Sequence, residues 1–213
     1  MTKYEKILVV LLFGSMWGAL ELFGRDLLRA SGVDDKSALL FGLGIIIIYA
    51  SKRLIDFPGS VVIMALIAGL FKTASSEFYA CQFTAVVING IVFDFTYSLF
   101  KRRLDASLLF RALAAPVITY ASYAAFALLA TYVLRVGTWA SAGGEEVRAY
   151  LGTDALIASL ISIVTIHLGY YLGNALQPYA LPGKLRTPVA AFRIASVVLV
   201  AAIWIAGQLY RTT

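Results

Sequence analysis

The sequence predicts an all-α integral membrane protein, a polytopic bundle of six to seven transmembrane helices forming one domain over residues 1–213. Three observations predict it. Composition is the first: 61% of residues are hydrophobic, 14% are charged and the mean hydropathy is +0.84. Soluble domains run at about 45–50% apolar and about 25% charged residues. A soluble chain of 23.1 kDa has too little interior to hide this apolar surface, so the surplus faces lipid. Patterning is the second. Stretches such as Ile45-Ile46-Ile47-Ile48 and Ala195-Ser196-Val197-Val198-Leu199-Val200-Ala201-Ala202 are apolar on every face, whereas barrel strands alternate with a period of two. The third is that lysine and arginine gather between the apolar runs. The net charge of +6 therefore reads as membrane orientation, not as a nucleic-acid footprint. Together these exclude a soluble enzyme, a secreted disulfide scaffold and a disordered tail. The single cysteine, Cys81, has no partner for an internal disulfide.

Crossing about 30 Å of hydrocarbon takes roughly 20 helical residues. The apolar runs, in order, are 7–23, 37–51, 58–73, 78–100, 108–134 (with Pro116 inside), 154–176 and 189–210. The first begins after Lys3 and Lys6 like a signal peptide. It continues through Trp17 to Phe23 without a clean small-x-small cleavage site, which predicts a retained helix. The second and third runs are short, and Lys52-Arg53-Leu54-Ile55-Asp56 separates them. Two short spans are expected there, with Lys52 and Arg53 snorkelling to the near surface and Asp56-Phe57-Pro58-Gly59 forming the turn. A re-entrant hairpin is the alternative, and it would leave two cations deep in the bilayer. Residues 135–153, rich in glycine, serine and alanine, read as an irregular outer segment, either a lid or a plain connector.

Seven crossings with the amino terminus in the cytoplasm put eleven basic residues inside: Lys3, Lys6, Lys52, Arg53, Lys101, Arg102, Arg103, Arg111, Lys184, Arg186 and Arg193. Seven lie outside: Arg25, Arg29, Lys36, Lys72, Arg135, Arg148 and Arg211. The positive-inside rule favours that orientation, and hence a multi-pass protein of the cell membrane.

No enzyme signature is present. His167 is the only histidine, so neither a bis-histidine haem nor a multi-histidine metal site can be built, and neither cofactor nor metal is expected. Gly-x-Ser-x-Gly, His-Glu-x-x-His and the phosphate-cradling Gly-x-x-x-x-Gly-Lys-Ser/Thr are all absent. The informative residues are ionisable groups inside apolar runs, where a charge is costly and normally faces protein or a water-filled cavity. Glu21 lies four residues before Arg25 and one turn beyond Trp17. It either pairs with Arg25 on one helix face or lines an outward-facing pocket beside the indole. Asp94, with Asn89 before it on the same run, is either a packing or inner-end partner or a cavity residue. Glu77 and Lys72 flank the outer turn Thr73-Ala74-Ser75-Ser76 and read as interface residues, with rimming a pocket as an additional role. His167 reads as a polar residue bonded to a neighbouring helix. Gly14-Ser15-Met16-Trp17-Gly18 and Gly169-Tyr170-Tyr171-Leu172-Gly173 are both Gly-x-x-x-Gly, which lets helices approach closely inside the bundle or at a partner subunit.

The stretch from Gly14 through Gly18, Glu21, Gly24 and Arg25 to Leu28, followed by 59–76 with Gly69 and Lys72 and by 89–103, resembles the substrate-capture subunits (S components) of energy-coupling factor transporters. The resemblance spans about the first half of the chain. It implies vitamin or micronutrient uptake, in which a small helical subunit binds its ligand from the outer side and docks on a transmembrane coupling subunit driven by ATPases. Carried onto this chain, it gives Gly14 and Gly18 the docking role, and Trp17, Glu21 and Glu77 the ligand pocket. Those subunits have six helices, so a seventh run departs from their pattern. The reading is a ligand-binding uptake subunit embedded in lipid, with Asn89 and Asp94 added to the pocket and no nucleic-acid partner. The alternatives are a structural or assembly subunit of a larger membrane complex, and a lipid-directed enzyme using Glu21 and Asp94 as acids.

Overall fold

A computed structural model describes residues 1–33, 35–73, 80–135, 137–180 and 189–212. Helix α1 (Lys3–Ala30) starts at a reciprocal cap. The Thr2 hydroxyl accepts from the Glu5 amide at 3.3 Å, and the Glu5 carboxylate accepts from the Thr2 amide at 2.8 Å. Near its far end, α1 widens into a π turn over Leu20–Gly24 before resuming at Arg25. Then come α2 (Lys36–Leu54), α3 (Ser60–Lys72), α4 (Ala80–Ala106), α5 (Leu108–Leu134, ending in a second π turn over Leu129–Leu134), the short α6 (Gly144–Gly152), α7 (Asp154–Ala180) and α8 (Val189–Thr212). No strand occurs among the described residues.

Each of the seven apolar runs contains a helix, and six of these are long and apolar enough to cross a membrane. The chain is a helical membrane protein. The run expected over 37–51 extends to 19 residues, because the polar Lys52 and Arg53 stay helical. Helix α3 is the short one. Its 13 residues reach about 20 Å at 1.5 Å per residue. The turn before it ends at Gly59, whose φ of +85° is a left-handed backbone that glycine adopts without steric cost. Within 135–153, expected to be irregular, α6 forms because the Glu146 carboxylate accepts from the Gly143 amide at 2.7 Å and two acids occupy its first turn.

The helices close a ring in the order α1, α3, α4, α5, α7, α2, with α8 outside it against α1. Close approaches are made where glycine removes a side chain. A Cβ on Gly18 would lie 2.5 Å from the Cβ of Phe71, and one on Gly14 would lie 3.0 Å from the Cβ of Ile67, so this motif seats α1 on α3. Gly169 and Gly173 likewise face Ile46, Tyr49 and Arg53 of α2. Helix α8 runs parallel to α1. Arg193 reaches Glu5 at 3.0 Å, Trp204 Nε1 donates to Ser15 Oγ at 3.0 Å, and the Tyr210 hydroxyl donates to Asp26 at 2.5 Å.

The end nearest the amino terminus is sealed by ion pairs. Lys52 and Arg53 do not snorkel, which corrects the expectation for them. Lys52 Nζ is buried 2.6 Å from Asp94, and Arg53 lies 2.6 Å from Asp105. Arg53 also donates from Nε to Asn174 at 2.8 Å, and its backbone carbonyl accepts from Gln177. Turning these cations inward satisfies them within protein, which is cheaper than leaving them in hydrocarbon.

Candidate functional site

At the opposite end of the bundle lies a half-open cavity of about 140 Å³. Its polar lining comes from Glu21 and Arg25 on α1, Ser37 on α2, Lys72 at the close of α3, Gln82 and Asn89 on α4, and Ser122 on α5. Its apolar wall is aromatic, formed by Phe41, Tyr123, Phe126 and Tyr150. Tyr123 and Phe126 share a face of α5 because residues three apart are neighbours on a helix. Tyr150 projects from α6 and lies nearly parallel to Tyr123, with ring centres 5.2 Å apart; Phe41 meets Tyr123 edge-on at 5.4 Å. Trp139 backs Tyr150 at 5.0 Å. The short α6 thus contributes a wall of the cavity.

The charges in the cavity are unevenly matched. Glu21 is buried and pairs with Lys72 at 2.8 Å, and the lysine is itself buried. The two charges cancel, and together they tie α1 to the end of α3. The i, i+4 pairing of Glu21 with Arg25 does not form. Glu21 lies within the π turn over Leu20–Gly24 and Arg25 directly follows it, so the two are not in the register that an α-helix would give. The Arg25 Nε is buried without a hydrogen-bond partner while its side chain lines the cavity. A buried unpaired donor costs about 1–3 kcal/mol. Among the described residues lining the site, Arg25 is the one charge without an ion-pair partner.

Trp17 sits deeper. With Asn89, Phe41 and Gly44 it lines a second cavity of about 10 Å³ beneath the first, and Phe41 and Asn89 border both. That volume is about the room of one water molecule. The indole is only 2% exposed and its Nε1 has no partner. Gly44 makes this space, since a Cβ there would stand 2.9 Å from the indole nitrogen.

Of the residues singled out from sequence, the structure brings Glu21 and Asn89 to the larger cavity and Trp17 to the smaller one. Asp94 is not among the lining residues of either. Its carboxylate accepts from the Gly59 amide at 2.5 Å and the Val61 amide at 3.4 Å as well as pairing with Lys52, so it pins the start of α3 at the other end of the bundle. Gly14 and Gly18 face α3 within the bundle. Glu77 lies outside the described residues. His167 Nε2 lies 3.2 Å from the Leu108 carbonyl, which ties α7 to the first turn of α5. Sequence reasoning missed Arg25, whose role is set by the π turn, and the aromatic wall, for which the spacing of Tyr123 and Phe126 was the available signal. Among the described residues no three histidine, cysteine, aspartate or glutamate side chains cluster to hold a metal ion.

Compared with protein-family models, with curated proteins and with solved structures, the chain gives no match.

Proposed function

We propose that this chain is a ligand-capturing subunit of a membrane uptake system, driven by partner subunits and catalysing no covalent chemistry of its own. The observation that carries the reading is the cavity at the end of the bundle away from the amino terminus, half-open and walled by aromatic rings, where Arg25 keeps a buried donor without an acceptor. Pockets for small molecules combine this kind of apolar wall with a few convergent polar groups. The excess of lysine and arginine at the amino-terminal end of the bundle favours the cytoplasm for that end. The cavity then opens on the outer side of the cell membrane, where an uptake protein meets its ligand. With no nucleotide-binding motif in the chain, energy must come from a coupling subunit and ATPases, as in the energy-coupling factor transporters that the first half resembles. Because Gly14 and Gly18 are engaged with α3, partner docking would use another face.

The test is mass spectrometry of the detergent-purified protein, native and then denatured, to identify a bound small molecule. It is repeated on Ala85→Phe, which adds a ring at a half-buried position in the cavity wall. A small molecule present in the parent and lost in a variant of unchanged melting temperature supports capture. A stoichiometric membrane complex carrying no small molecule favours the assembly-subunit alternative.

A further inference from the structure

Resting on the capture reading above, we infer that the cavity takes a small monoanion built on a single ring, its negative group on Arg25 and its ring against Phe41, Tyr123 and Tyr150. Size is the first argument. A cavity of about 150 Å³ holds a benzene-sized molecule, and this one is about 140 Å³. One ring fills that space, and a compact substituent can reach the half-open mouth.

Charge is the second argument. Of the three described charged residues on the lining, Glu21 and Lys72 neutralise each other at 2.8 Å, which leaves Arg25 as the net charge. A cationic ligand would meet that guanidinium across a medium of low dielectric and be repelled. A neutral ring would leave the Arg25 guanidinium without a counter-charge. A carboxylate or similar monoanion pairs with the Arg25 guanidinium in the cavity lining, and hydrogen bonds between charged partners are about twice as strong as neutral ones. The wall is the third argument. Tyr123 already meets Phe41 edge-on and stacks with Tyr150, so an added ring extends an existing aromatic array.

The test is isothermal titration of the full chain in detergent micelles with four probes: benzoate, benzamide, benzylamine and acetate. Benzoate is expected to bind at least about tenfold more tightly than each of the others, the difference that one charged hydrogen bond supplies. Arg25→Gln is expected to abolish that preference without moving the melting temperature. Binding of benzamide or benzylamine equal to benzoate overturns the charge assignment, as does a preference that survives Arg25→Gln. Acetate binding as tightly as benzoate overturns the ring assignment. Identification of the molecule that travels with the protein separates the two levels. A bound cation, neutral compound or multi-ring molecule sinks this inference and leaves capture standing; no bound molecule and no probe binding sinks both.

Discussion

The Asp94 carboxylate serves three donors at once: the Lys52 ammonium and the backbone amides of Gly59 and Val61. Lys52 in turn donates to the Phe57 carbonyl at 3.0 Å, so the pair locks α2, α4 and the turn before α3 together. Asp94→Asn keeps the shape but strands a buried ammonium. Breaking one side of a buried ion pair costs about 3–5 kcal/mol, so this variant is expected to lose most of its thermal stability in detergent. The double change Asp94→Asn with Lys52→Met removes the stranded charge and is expected to recover much of that loss, which melting curves of the parent and both variants will show. The cost of charge in hydrocarbon makes Glu21 and Asp94 stand out in the sequence. Their partners do not stand out. Lys72 and Lys52 come from other helices, and no spacing rule connects residues whose meeting depends on how helices pack. That is why two acids of equal prominence in the sequence have different surroundings, one lining a cavity and the other pinning a helix start.

At the scale of helices, Gly-x-x-x-Gly announces a close approach without naming the neighbour. In α1 the neighbour is α3. A leucine at position 18 would begin with its Cβ 2.5 Å from that of Phe71 and 3.2 Å from the Ala68 Cα, so the two helices must separate. Gly18→Leu is therefore expected to destabilise the isolated subunit by about 1–3 kcal/mol or more. Gly152→Ala, with nothing within 4 Å of the added carbon, is expected to leave the melting temperature within a degree or so. If Gly18→Leu melts like the parent and loses only a partner in pull-downs, the glycine stripe is a docking surface after all. The apolar runs were legible because helices that meet lipid need length and hydrophobicity, and both are properties of one segment. The π turn over Leu20–Gly24 was not legible: Leu20-Glu21-Leu22-Phe23-Gly24 carries no marker of it. Since that turn takes in Glu21 and ends just before Arg25, the electrostatics of the cavity were out of reach of sequence patterning even though both residues were in view.

For the molecule as a whole, the parallel course of α1 and α8 matters most. Ties at Glu5–Arg193, Ser15–Trp204 and Asp26–Tyr210 run up both helices in the same direction, as an odd number of traversals requires. For that count α3 must be a traversal despite its length of about 20 Å. Its beginning is pinned by Asp94 at the amino-terminal end and Lys72 at its close lines the cavity at the other. It therefore connects the two ends of the bundle, with local thinning of the bilayer or the flanking helices covering the shortfall. The distribution of positive charge predicts an orientation, and orientation decides which compartment the cavity faces. In a Cys81→Ser background, single cysteines at Lys3, Ser31, Arg102 and Thr153 divide by side. A membrane-impermeant maleimide applied to intact cells is expected to label Ser31→Cys and Thr153→Cys, and to label Lys3→Cys and Arg102→Cys only after permeabilisation. The inverse pattern would turn the cavity toward the cytoplasm and end the uptake reading, while the helical bundle, its sealed end and its paired charges would stand unchanged.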